Sequence, residues 1–234
     1  MGTPSDSMRE LERDRVLLER SSTAERVAEI LRERIIEGLF TPGQKLSEKA
    51  IGDALNVSRN TLREAFRLLS HERLLVHELN RGVFVRSLTA DDVKDIYQVR
   101  RVIEGSAVRQ ARVIPQQVLD ELRRALREGE ESATREDWRA VGTANMHFHR
   151  ALVALSGSRR LDDIMRQVFA ELRLVFQIAE DPKALHYPFV SRNADLLALL
   201  EEGDTAAAER MLADYLDDAE RLLVEAARTA SATS

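Results

Sequence analysis

Two helix-capping serines eleven residues apart, Ser47 and Ser58, with Asn56 between them, constrain this chain more than any other feature. A serine hydroxyl at an N-cap satisfies one of the backbone N–H groups that a helix start leaves free. Asn tolerates the left-handed conformation that closes a helix. The first helix is therefore short and is expected to bury Ile51, Ala54 and Leu55, with Asn56 ending it. The second carries Leu62, Ala65, Phe66 and Leu69 on its inner stripe. Two short helices joined by a turn of a few residues form a helix-turn-helix. Upstream, Val27, Ile30, Leu31, Ile35 and Leu39 recur at helical spacing and predict a helix over about Ala24 to Glu37, ended by Gly38 and Thr41-Pro42-Gly43. Downstream, Leu74-Leu75-Val76 and Val83-Phe84-Val85 flank Asn80-Arg81-Gly82, the pattern of a hairpin. A hairpin directly behind a helix-turn-helix is the wing of a winged-helix domain.

The helix opened by Ser58 also has a chemically distinct outer face. Arg59, Arg63 and Arg67 lie at i, i+4 and i+8, and each step of four residues turns the direction by only about 40°. They share one face opposite the apolar stripe. Ser58, Asn60 and Thr61 add short hydrogen-bonding groups at the helix N-terminus, where free N–H groups and the helix dipole favour phosphate. An arginine-rich face on an isolated helix is an ordinary solvated surface. On the second helix of a helix-turn-helix with a wing behind it, it is a face that reads DNA, since arginine matches guanine in the major groove.

Beyond Val85 the pattern changes. Ser87 to Ala90 reads as a linker, and Thr89 with Asp92 three residues later forms the signature of a capped helix start. Helices are predicted over about 91–111, 115–131, 137–155, 159–180, 189–202 and 204–228. They are separated by Pro115, a polar patch near Thr134, Ser156-Gly157-Ser158, Pro182 with Pro188, and Gly203-Asp204. Short connections place successive helices side by side in an antiparallel bundle. The expected fold is mainly α: an arm over 1–22 that frays or forms a helix and to which no function is assigned, a winged helix-turn-helix over 23–86, a linker over 87–90, and an all-helical effector-binding and dimerisation domain over 91–230.

Charge must be read by region. The whole chain carries a net charge of -5, which on its face argues against nucleic acid. Residues 23–86 hold 11 basic and 9 acidic side chains, whereas 87–234 hold 20 basic and 26 acidic. An acidic bundle thus hides a weakly basic reader. The absence of cysteine excludes a disulfide framework, a cysteine-ligated metal and a thiol nucleophile. No apolar run is long enough to cross a membrane, and Met1 to Ser22 is too polar for a signal peptide, so a cytoplasmic chain without membrane partners is expected. There is no glycine-rich phosphate loop and no nucleophile elbow, so the chain is not read as an enzyme.

The stretch Pro42-Gly43-Gln44-Lys45-Leu46-Ser47-Glu48, followed by Ala50 to Ala65 and closed by Asn80-Arg81-Gly82-Val83-Phe84-Val85, resembles the winged-helix domain of GntR-family transcription regulators. The resemblance implies a homodimer on a palindromic double-stranded DNA operator, acting as a repressor in the first reading. It carries DNA contacts onto Lys49, Ser58, Arg59, Asn60, Thr61 and Arg63, and onto Arg81 and Gly82 at the wing tip. Many members have Thr-Pro where this chain has Asn60-Thr61, which bears on the sequence bound.

The second half is similar to the FCD effector domains of the FadR-like branch of that family, through Tyr97 to Glu104, Asn145 to Leu152, Ser156-Gly157 and Glu202-Gly203-Asp204. In many such domains a carboxylate or Asn four residues before a His, with two later His, binds a divalent metal. Here Asn145 and His149 keep the first spacing, but the later positions fall on Asn193 and Tyr215. Asn145 and His149 remain as metal candidates, and no cofactor is assigned. The preferred reading is a polar pocket of Arg100, Asn145, His149, Asn193 and Tyr215 that takes a small carboxylate effector directly, with Arg100 as a bidentate clamp. Arg100 could instead pair with Glu104 at i, i+4, and His149 could be a satisfied core residue. The alternatives are a helical domain that binds a divalent metal or an acyl thioester, a helical-bundle metalloenzyme, and an architectural DNA-binding protein without an effector.

Overall fold

The computed structural model describes residues 23–179 and 181–232, so the arm expected over residues 1–22 lies outside the described residues. The chain divides into two units between Ser87 and Leu88.

The first unit opens with helix α1 over 23–36, which buries Ala24, Val27, Ala28, Leu31 and Ile35. Ile30 and Leu39, expected on that stripe, are 41% and 63% exposed. Helix α2 (Glu48–Leu55) starts at Ser47, whose hydroxyl accepts from the Ala50 N–H, and closes at Asn56 with φ 51°. Helix α3 (Arg59–His71) starts at Ser58, whose hydroxyl accepts from the Thr61 N–H, and buries Leu62, Ala65, Phe66 and Leu69. Both serine caps act as their spacing predicts. The inner stripe of α2 is narrower than expected: Ile51 is buried, Ala54 is exposed and Leu55 is half-buried. Two turns of helix with a single contact line against α3 can cover only one large side chain.

The wing is a three-stranded antiparallel sheet in the order β1 (Lys45–Leu46), β3 (Gly82–Val85), β2 (Leu75–Glu78). The short β1 escapes the sequence pattern because a two-residue strand has no alternation to read. It pairs Lys45 with Phe84 and Leu46 with Val83, and so joins the wing to the start of α2. Gly82 occupies φ 114°, a conformation that residues with a side chain rarely adopt, and a Cβ there would lie 3.1 Å from the mobile end of Lys45, so the backbone is what calls for glycine at this position.

The second unit consists, among the described residues, of α4 (Ala90–Gln110), α5 (Gln116–Thr134), α6 (Trp138–Ala154), α7 (Arg159–Phe176), α8 (Pro182–Glu202) and α9 (Thr205–Ala232). Helix α4 begins with a full capping box between Thr89 and Asp92, so part of the expected linker is already helix start. Helix α7 stops at Phe176 and α8 starts at Pro182, earlier than the expected 180 and 189. Pro188 was expected to separate helices, but it lies inside α8. Its missing N–H leaves the Ala184 carbonyl without a helical partner. Asp181 caps the new start, Pro182 suits the first helical position, and Leu185, His186 and Phe189 are all buried. Burial of those three side chains offsets one lost helix bond.

Candidate functional site

In the first unit the side chains expected to meet DNA lie on α2, α3 and the wing. Arg59, Arg63 and Arg67 are all exposed on α3, as are Lys49, Ser58, Asn60 and Arg81, while Thr61 and Gly82 are half-buried. Arg59 has no ion pair among the described residues. The Arg63 Nε donates to both Glu48 oxygens, at 3.1 and 3.2 Å, and Arg67 pairs with Glu64 at 3.2 Å. Such exposed pairs hold their partners by at most about 1 kcal/mol, so Arg63 can exchange Glu48 for a phosphate or a base edge. Ser58 and Thr61 are already tied together, with their hydroxyl oxygens 2.8 Å apart.

The wing adds a residue that sequence reading left out. The Lys45 Nζ lies 5.9 Å and the Arg81 Cζ 5.4 Å from the centre of the Phe84 ring, while Arg81 also pairs with Glu78. Phe84 is thus a platform that brings together a cation of β1 and one of the turn between β2 and β3. Lys45 could be found only through its register with Phe84.

In the second unit the expected effector residues come together although the chain separates them widely. Asn145 Oδ1 accepts from Asn193 Nδ2 and from Tyr215 Oη, both at 2.8 Å. The His149 ring packs edge-on against Tyr215 with centres 4.9 Å apart, and Arg192 lies over Tyr215 at 5.2 Å. Arg100 sits over Tyr97 and Phe169, at 4.9 and 5.5 Å.

Glu104 lies at the centre. One carboxylate oxygen accepts from Arg100 Nε at 2.6 Å, and the other lies 2.6 Å from His149 Nδ1. The alternative weighed for Arg100 is the geometry found, so Arg100 is not an unencumbered clamp. Burial alone pushes the Glu104 carboxyl up, but Arg100 and His149 outweigh it and hold it below its ordinary value. Burial, with Arg100, holds His149 down against the pull of Glu104, and the imidazole is neutral at pH 7. Its Nδ1–H then donates to Glu104 and its Nε2 presents a lone pair. Burial likewise pushes the Tyr215 hydroxyl up, so it stays a donor.

Three buried polar atoms of this cluster have no hydrogen-bond partner among the described residues: Arg100 Nη2, His149 Nε2 and Asn193 Oδ1. One is a cationic donor and two are acceptors. A cleft between α5, α6 and α8 reaches the cluster at Asn145 and Asn193, is also lined by His186, Phe189 and Gly129 among others, and has about 10 Å³ of space, room for about one water. An organic ligand therefore has to part these helices to enter. As a metal site the donors fit poorly, because one imidazole nitrogen and two amide oxygens, of which that of Asn145 already accepts from Tyr215 and Asn193, are a weak set for a transition ion. His147 is exposed and reaches Glu128 at 3.1 Å, away from the cluster.

Residues 23–85 match the family model for bacterial regulatory proteins of the gntR family, and residues 95–218 match the FCD domain. The chain belongs to the GntR family. It is a transcription regulator with an FCD domain, not an enzyme. This regulator is 46% identical to a GntR transcriptional regulator from Rhodococcus sp. RHA1, whose crystal structure it matches with a TM-score of 0.83 over 87% of this chain and 98% of that one. It is 32% identical to the Nta operon transcriptional regulator of Aminobacter aminovorans, over 72% of this chain and 80% of that protein. A match to the HTH-type regulator YdhC of Bacillus subtilis, also 32% identical, spans 59% of this chain and 62% of that relative's length. No described helix is long and apolar enough to cross a membrane.

Proposed function

We propose that this regulator is a cytoplasmic, homodimeric repressor that binds a palindromic operator and is released or retuned by a small organic acid held in its helical unit. Two-fold symmetry presents two copies of α3 to two half-sites, and a bound dimer excludes other proteins from that stretch of duplex. Exposed Val102 on α4 and Leu222 on α9 support self-association of the helical unit. On DNA, Arg59 and Arg63 read bases or hold the nearest phosphates. Lys49, Ser58, Asn60 and Thr61 anchor the backbone, and Arg81 and Gly82 enter the minor groove.

The observation that carries the effector reading is the convergence of Arg100, Asn145, His149, Asn193 and Tyr215 on one buried cluster with three unmatched polar atoms. Buried polar atoms without partners are uncommon and costly. A carboxylic acid bearing further polar groups satisfies them, with its carboxylate on Arg100 Nη2. Binding shifts the DNA-bound population only as far as the acid prefers one arrangement of the helices over another.

The test is a thermal-shift panel of small carboxylic acids and acyl thioesters on the full chain, with chelator and with added Zn²⁺ or Ni²⁺, followed by operator titration with each hit. Dose-dependent stabilisation by an acid, unaffected by chelator and weakened in His149→Ala, is expected. Stabilisation by metal alone would reverse the reading.

A further inference from the structure

Five arginines of the helical unit are not fully exposed: Arg100, Arg101, Arg123, Arg173 and Arg192. Four of them hold a carboxylate. Arg100 has Glu104, Arg101 has Asp217 and Glu220, Arg123 has Glu201, and Arg192 has Asp218, each at 2.5 to 2.7 Å. Arg173 on α7 has none among the described residues. Its one hydrogen bond there runs from Nη2 to Thr143 Oγ1 on α6, at 2.7 Å, and Thr143 donates its own hydroxyl hydrogen to the Arg139 carbonyl at 3.1 Å. The remaining guanidinium N–H groups have no partner among the described residues. Burial, with the charge of Arg139, presses Arg173 down to about 10.

Close by, His186 on α8 is 6% exposed and makes no hydrogen bond among the described residues. Its ring meets the edge of Phe176 with centres 4.8 Å apart. It is seated against α6 at Gly142, where a Cβ would lie 2.7 Å from Nε2, so only a residue without a side chain leaves room for it. Burial and the charge of Arg173 press the imidazole down to about 4. Among the described residues, a cation without a counter-ion thus adjoins a buried imidazole without a hydrogen-bond partner, and both are pushed toward losing protons.

We propose that Arg173, Thr143 and His186, from three helices, form a binding site for a small oxyanion, the carboxylate or phosphate group of a metabolite. The guanidinium supplies charge and a planar pair of donors, and the imidazole supplies one more N–H. The anion restores the balance that Glu104 provides for Arg100. His186 also lines the narrow cleft between α5, α6 and α8, so an anion reaching the site from that side has to part these helices. His186 lies in the stretch of α8 where Pro188 has removed a helix bond, so an anion drawn between Arg173 and His186 acts on a weakened turn of that helix. The proposal does not depend on the Arg100 cluster, whose own positive charge is cancelled within it.

Titration calorimetry of the full chain with sodium phosphate and with sodium acetate, at constant ionic strength set by chloride, reads the site directly. Saturable binding of at least one probe is expected; phosphate alone, acetate alone or both would name the group preferred. Arg173→Met, which keeps the stem and removes the charge, is expected to weaken binding at least about tenfold, Arg173→Lys less, and Arg123→Met not at all. In the wild-type chain the His186 C2–H resonance should titrate at higher pH once the anion is saturating. No saturable binding of either probe, undiminished affinity in a folded Arg173→Met, or an unmoved His186 titration would each overturn the proposal.

Discussion

Nδ1 of His149 lies 2.6 Å from Oε2 of Glu104, and the other oxygen of that carboxylate accepts from Arg100 Nε, with all three side chains buried. One carboxylate therefore balances a guanidinium and orients an imidazole. Glu104→Gln keeps the shape and removes the charge, leaving Arg100 buried without a counter-ion. The expected loss is about 3 to 5 kcal/mol in urea unfolding. A loss under about 1 kcal/mol would mean that solvent reaches Arg100. Because Glu104 is held below its ordinary value of 4.5, its contribution is present above that value and fades as pH falls through the lower folded-state value. The acid limb of the wild-type stability curve should be steeper there than that of the variant.

A second pH effect has a different window. His186 is pressed from 6.5 to about 4, so the unfolded chain takes up a proton on this residue before the folded chain does. Folding stability should fall as pH drops from about 6.5 to about 4, by about 3 kcal/mol for this group. His186→Gln removes that share, while His149, depressed in the same direction, keeps part of the slope. Identical slopes in wild type and variant across this window would show that His186 takes up its proton at the same pH in the folded and the unfolded chain.

On the DNA side, Arg59→Ala or Arg63→Ala is expected to cost about 1 to 3 kcal/mol in operator affinity at fixed salt, with the melting temperature nearly unchanged. Both side chains are exposed, and the Glu48 pair of Arg63 is worth little to the fold. Fluorescence anisotropy against a palindromic duplex and a scrambled one reads the effect, and equal affinities for variant and wild type would remove α3 from the interface.

Tyr215→Phe separates packing from hydrogen bonding in the polar cluster. The ring contacts with His149 and Phe189 stay, and Asn145 Oδ1 keeps its bond from Asn193, so the stability cost should be about 1 kcal/mol. Thermal stabilisation by the acid found in the effector panel should fall sharply. A variant that responds as the wild type does would place the effector elsewhere in the bundle.

Legibility from sequence followed the range of the forces involved. The caps at Ser47, Ser58 and Thr89, the left-handed end at Asn56 and the inner stripe of α3 are local, and each reads correctly from residues a few positions apart. Pro188 misled because its local effect, one lost helix bond, is outweighed by burial of Leu185, His186 and Phe189, which depends on distant helices. Strand β1 was missed because its partner lies 39 residues away.

By itself the sequence determined that the chain would make a winged helix with an arginine face followed by a helical bundle, since capping, turn chemistry and helical periodicity act within a few residues. Only the tertiary structure decided how charge is distributed inside that bundle. Glu104 neutralises Arg100 and orients His149, Lys45 joins Arg81 over Phe84, and Arg173 finds no acid among the described residues. The reason is physical: the worth of a charge depends on its burial and on neighbours brought from other helices and strands, and neither is written in the spacing of residues along one of them.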